Sequence, residues 1–392
     1  MNTVYILGRQ PDLGIAELES LLGEANIRKV DNSVVASAFE PNYIPFSRLG
    51  GSMKVGQIIA TLPFSDWNKI ESYIFENAPK AIQYLGITSK INLGVSVYGI
   101  PVSAQKINAS GLKLKKIIKH LGVSVRVVPN KTAQLNSAQV IHNKLIGSGW
   151  ELLVIKDGQQ TILAQTVNVQ DIEAYSARDQ ARPFRDAKVG MLPPKLAQII
   201  INLASVGNNR FGATVLDPFC GTGVLIQEAC LMGFKGYGTD IEPRMVEYTD
   251  KNMSWLSGVY ADREIEWNAE VGDAINHKWT NELDFVAAET YLGRPLTQIP
   301  DKETLNKIIS DCDFIHKKFL KNIAEQTKPG FRMCIAVPSW INGNQILHLK
   351  TLDYLEELGY TRQSFVHANN RRLIYYREGQ KVGRELVVIT RK

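Results

Sequence analysis

One stretch constrains the fold of this 392-residue chain more than any other: Val215-Leu216-Asp217-Pro218-Phe219-Cys220-Gly221-Thr222-Gly223. An apolar run from Thr214 to Leu216 ends in an acid and a Gly-x-Gly loop. A helical pattern follows at once through Val224, Leu225, Ala229, Cys230 and Leu231. Glycine reaches positive φ and lets a ligand approach the backbone, and the helix N-terminus behind it offers free N–H groups. Strand, glycine turn and helix in that order bind a nucleotide-like group at the carboxyl end of a parallel sheet.

The details select among such ligands. A dinucleotide loop wants a third glycine, and Ile226 stands there. Asp217 ends the strand, and a carboxylate at that place suits a ligand with an ammonium group, such as S-adenosylmethionine (SAM), rather than a pyrophosphate. A second strand, Lys235 to Ile241, contains Asp240, 19 residues after Gly221. An acid about 20 residues past the loop can bind both ribose hydroxyls. Glu242-Pro243-Arg244 then opens a helix, with proline where its missing N–H costs little. A third strand-like run, Ile265 to Val271, leads to Gly272-Asp273-Ala274. Alone, Asp273 reads as a turn acid; in series with Asp217 and Asp240 it joins the cofactor set.

The length predicts two to three domains. The N-terminus has no basic n-region of a signal peptide, and no apolar run reaches the about 18 residues of a membrane span. Cys220, Cys230, Cys312 and Cys334 form no Cys-x-x-Cys pair and the six histidines form no cluster. Neither a metal nor a disulfide framework is expected, and a reducing cytoplasm fits. The net charge of +6 is unevenly spread: from Asn77 to Trp150 there are ten bases and no acid. Such a window gives a distinct unit a positive field. Within it Leu114, Ile117, Ile118 and Leu121 recur at helical spacing, opposite Lys113, Lys115, Lys116, Lys119 and His120. With no glutamate among them, these cations read as a phosphate-binding face, to which Arg126 and Lys131 add. Strands are expected at Asn92–Tyr98, Val123–Val128, Leu152–Ile155 and Thr161–Gln165, making a small α+β module.

Asp-Pro-Phe-Cys-Gly-Thr-Gly resembles motif I of the class I methyltransferases that modify base amines. With a basic α/β module ahead of it, the chain resembles the THUMP-domain RNA methyltransferases, in particular the tRNA guanine-N2 methyltransferases that modify guanine ten. Three further segments look like that family: Tyr5 to Leu13 with Ala16 to Glu19, Asn92 to Gly99, and Arg182-Pro183-Phe184 with Met191 to Ala197. The resemblance implies an α/β fold. A Rossmann-like domain over 191–392, with a mostly parallel seven-stranded sheet and an antiparallel end, would follow three regions. These are an N-terminal ferredoxin-like part (1–75), a THUMP module (76–168) and a charged linker (169–190). The closing hairpin falls at Arg372–Tyr376 and Glu385–Ile389. SAM is the implied cofactor, held by Asp217, Phe219, Cys220, Gly221, Thr222, Gly223, Asp240, Ile241, Asp273 and Ala274. The implied partner is RNA, tRNA in particular; no membrane is involved, and a small activator subunit, as in some relatives, stays open.

At the reacting end the sequence departs from the pattern. Base-amine methyltransferases follow the fourth strand with Asp/Asn-Pro-Pro-Tyr/Phe, where the acid or amide and a carbonyl grip the amine and the ring stacks on the base. Here Leu283 to Ala288 leads into Glu289-Thr290-Tyr291-Leu292-Gly293. The acid is one methylene longer, which moves the acceptor by roughly 1 Å, a displacement that can cost about a hundredfold in rate. The prolines are gone, and Tyr291 is the ring at hand. Three readings follow: the same chemistry with Glu289, Thr290 and Tyr291 as catalytic residues; a different target amine, DNA included; or an RNA-binding protein with a silent catalytic domain.

Overall fold

The computed structural model describes residues 1–392 except 85, 87, 88, 187–190, 208, 209 and 344. It divides into two compact units, and each is built around one sheet.

The N-terminal unit contains β1 (Thr3–Leu7), β2 (Ile27–Lys29), β3 (Val34–Ser37), β4 (Ser52–Leu62), β5 (Lys90–Tyr98), β6 (Ser124–Val127), β7 (Trp150–Asp157) and β8 (Gln160–Val169). They form one sheet in the order β2-β3-β1-β4-β8-β7-β5-β6. The expected boundary at residue 75 therefore falls inside a single sheet, because β4 pairs along its length with β8. Helices α2 (Trp67–Tyr84) and α3 (Ala104–His120) bury Ile70, Ile82, Ile107, Leu114 and Ile118 with Leu93, Leu152 and Leu163. A short α4 (Ser137–His142) is closed by a capping box at Asn136.

Within that sheet a polar group is buried. Lys54 pairs with Glu151 and also donates to the Leu135 carbonyl, 2.8 Å. Ser96 and Thr166 donate to the same carboxylate, each at 2.6 Å. Every oxygen of Glu151 is thus engaged, the condition under which a buried ion pair is tolerated.

The C-terminal unit takes in α5 (Ile172–Gln180), α6 (Pro194–Ala204), α7 (Val224–Leu231), α8 (Pro243–Val259) and α9 (Lys302–Gln326). Its strands are β9 (Thr214–Asp217), β10 (Lys235–Asp240), β11 (Trp267–Val271), β12 (Phe285–Glu289), β13 (Arg332–Asn342), β14 (Gln345–Leu347), β15 (Tyr360–Arg362), β16 (Ile374–Tyr375) and β17 (Val382–Arg391). Seven run in the order β11-β10-β9-β12-β13-β17-β15, with β14 on β13 and β16 on β17. The first five are parallel and β17 enters antiparallel, the class I architecture expected from motif I. The central strands β9, β12 and β13 carry apolar runs, as strands buried on both faces do.

Two corrections concern boundaries. First, α1 (Pro11–Leu22) and residues Arg48–Gly51 belong by their contacts to the C-terminal unit. Glu17 accepts the N–H groups of Gly50 and Gly51, both at 2.9 Å, and the Asn202 amide at 2.7 Å. Glu19 accepts the N–H groups of Val366 and His367 at 2.7 and 2.9 Å, and Asp12 that of Asn369 at 2.9 Å. Second, the expected linker is partly built into this unit. Arg178 pairs with buried Glu228 of α7 at 2.6 Å, and Gln198 donates to the same acid at 2.9 Å. The linker's far end, 187–190, lies outside the described residues.

Candidate cofactor and catalytic site

Three parallel strands end in acids: Asp217 on β9, Asp240 on β10 and Glu289 on β12. Because β9 lies between β10 and β12, the carboxylates gather at one sheet edge where the chain order reverses. Open α/β sheets bind ligands in that crevice. Asp217 is 2% exposed and accepts the Phe219 N–H at 3.2 Å. Burial pushes its pKa well above the usual carboxylate range, and the charges of Asp240 and Glu289 add to the shift.

Asp240 is tied to the glycine loop itself. Its oxygens accept the N–H groups of Gly221 at 2.9 Å and Glu242 at 3.0 Å. Burial raises its pKa and these two bonds restrain the rise. A carboxylate oxygen has two lone pairs, so each still has one to offer a hydroxyl.

Gly221 and Gly223 take φ of 52° and 79°, the left-handed region where other residues are strained. At Gly223 there is no room either: a Cβ would lie 2.9 Å from Thr249 Cγ2. Thr249 and Asn252 of α8 prop the loop, donating to the carbonyls of Gly221 and Thr222, each at 2.9 Å. Asn252 also brackets Phe184, accepting its N–H at 3.0 Å and donating to its carbonyl at 2.8 Å. The Arg182-Pro183-Phe184 lead-in is thereby joined to the helix behind the loop. Cys220 gives this site its backbone alone. Its side chain packs with Ile226, Cys230, Met253 and Leu256, and burial raises its thiol pKa well above normal.

Ile241 follows Asp240 and is 60% exposed. Asp273 lies just past β11, whose Val271 is in register with Asp240, and caps its own turn through the Ile275 N–H at 3.2 Å. Ala274 is turned into the core, where its carbonyl accepts from Asn322 at 3.0 Å. Phe219 sets its ring edge-to-face on Phe319, centroids 5.3 Å apart.

The segment after β12 divides its three candidates. Glu289 Oε1 accepts from the Arg384 Nε of β17, in a pair with little solvent exposure on either side. Burial pushes the Glu289 pKa up, and the Arg384 charge and hydrogen bond pull it back. Thr290, read from sequence as catalytic, is instead a core residue, 3% exposed. Its hydroxyl meets His316 Nε2 at 2.6 Å, and its N–H bonds to the Ala336 carbonyl at 3.0 Å. His316 Nδ1 donates to the Cys312 carbonyl at 2.7 Å, which leaves Nε2 to accept from Thr290. Burial pushes the His316 pKa down to about 4, so it is neutral at pH 7. Thr290 anchors the loop where the expected prolines would have stiffened it. Tyr291 points outward, 41% exposed. The sequence reading missed Arg384, Thr249, Asn252 and His316; none carries a local motif, and Arg384 is 95 residues from Glu289.

On the N-terminal unit, Lys116, Lys119, Arg126 and Lys131 are exposed and Lys115 is half-buried. Lys113 is a correction to an all-cation face: it pairs at 3.5 Å with Glu71 of α2, which also accepts from Ser110. Leu121, expected on the apolar face, is 44% exposed at the helix end. Among the described residues no group of three or more His, Cys, Asp or Glu is placed to hold a metal ion. Nor, among the described residues, is any helix long and apolar enough to cross a membrane.

A family model described as a methyltransferase domain matches residues 210–358. The chain is 30% identical over 182 residues to the tRNA (guanine(10)-N2)-dimethyltransferase of Methanothermobacter thermautotrophicus, covering 46% of this chain and 48% of that protein. The protein of the same name from Pyrococcus abyssi is 31% identical over 182 residues, covering 46% and 45%. The chain thus spans about half the length of the curated relatives it matches. The crystal structure of TrmN from Thermus thermophilus aligns over 100% of this chain and 99% of that one, with a TM-score of 0.52 at 16% identity. That is a likeness of fold. The C-terminal unit of this protein has the class I methyltransferase fold, and the family match falls within it.

Proposed function

We propose that this chain is a SAM-dependent methyltransferase acting on the exocyclic N2 amine of a guanine in tRNA. The observation that carries the reading is the gathering of Asp217, Asp240 and Glu289 at one sheet edge, with Arg384 paired to Glu289. Carboxylates so placed call for a cationic ligand with hydroxyls, and SAM fits: its ammonium suits Asp217 and its ribose suits Asp240. Ile241 and Asp273 would flank the adenine, and the N–H groups of the 219–223 loop would face the ligand. When bound, SAM supplies an electrophilic methyl group.

The chain's own residues do the rest. Arg384 holds one oxygen of Glu289, and Oε2 is left to accept an N–H of the target amine. That hydrogen bond orients the amine and draws its delocalised lone pair toward reaction, the work that the shorter acid does in the usual motif. The reach of Glu289 is set by Arg384 rather than by prolines. Tyr291 offers a ring to the base, which must leave its stack to be reached. Lys115, Lys116, Lys119, Arg126 and Lys131 would neutralise phosphates, giving affinity and register rather than sequence reading. The names of the curated relatives support tRNA as substrate.

The test is transfer of labelled methyl from SAM to unmodified tRNA, followed by identification of the modified nucleoside. N2-methylguanosine or its dimethyl form is the expected product. Another methylated nucleoside replaces the substrate; SAM binding without transfer replaces the activity.

A further inference from the structure

The reacting end carries more than a single acceptor. Glu289 ends β12 in register with Ala336 of β13, and Pro338, two residues on, stands opposite Arg384 of β17. Side chains alternate along a strand, so Glu289 and Arg384 share one face of the sheet. The next residue, Glu385, falls on the other face, where Arg362 at 2.8 Å and His348 close it. Arg384 therefore meets Glu289 alone, and only through Nε to Oε1.

That single bond leaves most of both groups unused. A guanidinium offers several N–H donors in one plane, and each carboxylate oxygen has two lone pairs. Among the described residues, neither the terminal nitrogens of Arg384 nor Oε2 of Glu289 makes a further hydrogen bond, and none of these atoms is sealed from solvent. The two side chains keep only 7% and 15% of their surface, so what reaches them must enter the crevice edge-on. Polar groups this far from bulk water are costly to leave unmet.

The open positions have an order. Because Nε meets Oε1, the guanidinium lies on that side of the carboxylate. The sequence is an acceptor at Oε2, an acceptor at the second lone pair of Oε1, and a donor at the Arg384 terminus. Its complement is donor, donor, acceptor. Guanine presents that order on its Watson–Crick edge as the N2 amine, N1–H and O6. Adenine and cytosine each place a bare ring nitrogen beside their amine, which would set a lone pair against Oε1. Uracil has no amine. We infer that Glu289 and Arg384 together select guanine by its Watson–Crick edge, Oε2 taking N2–H, Oε1 taking N1–H and Arg384 donating to O6. This rests on the methyltransferase reading above and makes Arg384 a specificity-determining residue. A base taken out of its stack is read along that edge.

The experiment uses tRNA in which 2-aminopurine replaces the guanine that the transfer assay identifies. The analogue keeps the 2-amine, N3 and N7, but lacks O6 and carries a bare N1. kcat/KM for methyl transfer is measured on both tRNAs with wild type and Arg384→Lys. Binding of both is measured with S-adenosylhomocysteine in place of SAM. Lysine keeps a charge beside Glu289 and loses the planar fork. Wild type is expected to favour guanine at least about a hundredfold, because a site built for hydrogen bonds rejects an analogue that leaves them unpaired. In Arg384→Lys that preference narrows about tenfold, the size of one charge-assisted hydrogen bond. Any difference in the intrinsic reactivity of the two amines cancels in that comparison. Wild type that methylates 2-aminopurine as well as guanine would overturn the inference. So would an Arg384→Lys that slows both substrates equally, since Arg384 would then only hold Glu289. For a variant too slow to assay, the binding preference decides, with the same narrowing expected and an unchanged preference overturning it. Wild type that transfers no methyl to any guanine would overturn the methyltransferase reading itself, before the analogue is tried.

Discussion

Arg384→Gln isolates what the paired cation does for Glu289. The substitution keeps the side chain polar and removes its charge. At an effective dielectric of about 20 and a separation of about 4 Å, the lost attraction is about 4 kcal/mol. Burial already lifts the Glu289 carboxyl, and Arg384 is the group that restrains it. In the variant that restraint is gone, so the protonated form, which presents an O–H where the amine needs an acceptor, persists to higher pH. The acidic limb of kcat/KM for methyl transfer therefore moves to higher pH. The rate at pH 7 falls at least about a hundredfold and recovers as the pH is raised toward 9. Arg384→Lys, which restores a charge, should return most of the limb. The assay is labelled methyl transfer to tRNA across pH 5 to 9.5, with melting temperatures at each pH to show that the variant is folded. A profile that keeps its shape and is merely scaled down would refute the argument: Glu289 would then not be the acceptor whose ionisation matters.

Four other outcomes follow from the structure. Gly223→Ala forces a Cβ onto Thr249 and strains a φ of 79°; at about 1–2 kcal/mol for the backbone alone, SAM affinity by titration calorimetry should drop at least about tenfold while RNA affinity is unchanged. Glu151→Ala leaves the Lys54 ammonium buried without its partner, and urea unfolding should show a loss of about 3–5 kcal/mol; Lys54→Met with Glu151→Gln should recover at least half of it. Glu17 has its pKa pushed up to about 7, mainly by burial. An acid raised in the folded state stabilises most below its unfolded pKa, so about 3 kcal/mol is present below about pH 4.5 and lost as the pH rises through about 7. Glu17→Gln should flatten that part of the stability profile. Replacing Lys115, Lys116 and Lys119 by Ala should lower the slope of log affinity for RNA against log salt by about two to three; an unchanged slope would mean that this face is only solvated.

Local patterns were the legible part of the chain. The strand–glycine–helix unit fell where Asp217 to Gly223 placed it, because an acid and two left-handed glycines at the end of an apolar run have few other uses. Asp240 was legible by spacing, but its bond to the Gly221 N–H was not, since that requires β10 beside β9. Glu289 could be found by aligning a motif; its partner Arg384 could not, because it lies in an ordinary hairpin strand and reaches the site only by antiparallel pairing of β17 with β13. Thr290 was misread for a related reason. Its place in a motif said loop, whereas burial against His316 of α9, 26 residues on, decided its orientation. The pairing of Lys113 is not legible because its own helix holds no acid; Glu71 comes from the neighbouring helix, before the acid-free window begins. The sheet that unites 1–75 with 76–168 was likewise invisible, since strand order is a property of distant pairings rather than of composition.

The placement of α1 bears on how this protein is made. The helix precedes its partners by most of the chain: Asp12 bonds to a residue 357 positions later and Glu19 to one 347 later. At about 5–20 residues per second, the ribosome needs roughly 20 to 70 seconds to deliver those partners. Until then the carboxylates of Asp12 and Glu19 lack those partners. The methyltransferase unit is therefore not one continuous piece of the gene. A fragment started at residue 173 would omit the helix and the 48–51 turn, leaving the Asn202 amide and the backbone of Val366 to Asn369 without the acids that bind them. The C-terminal unit is complete only in a chain that also carries residues 12–21 and 48–51.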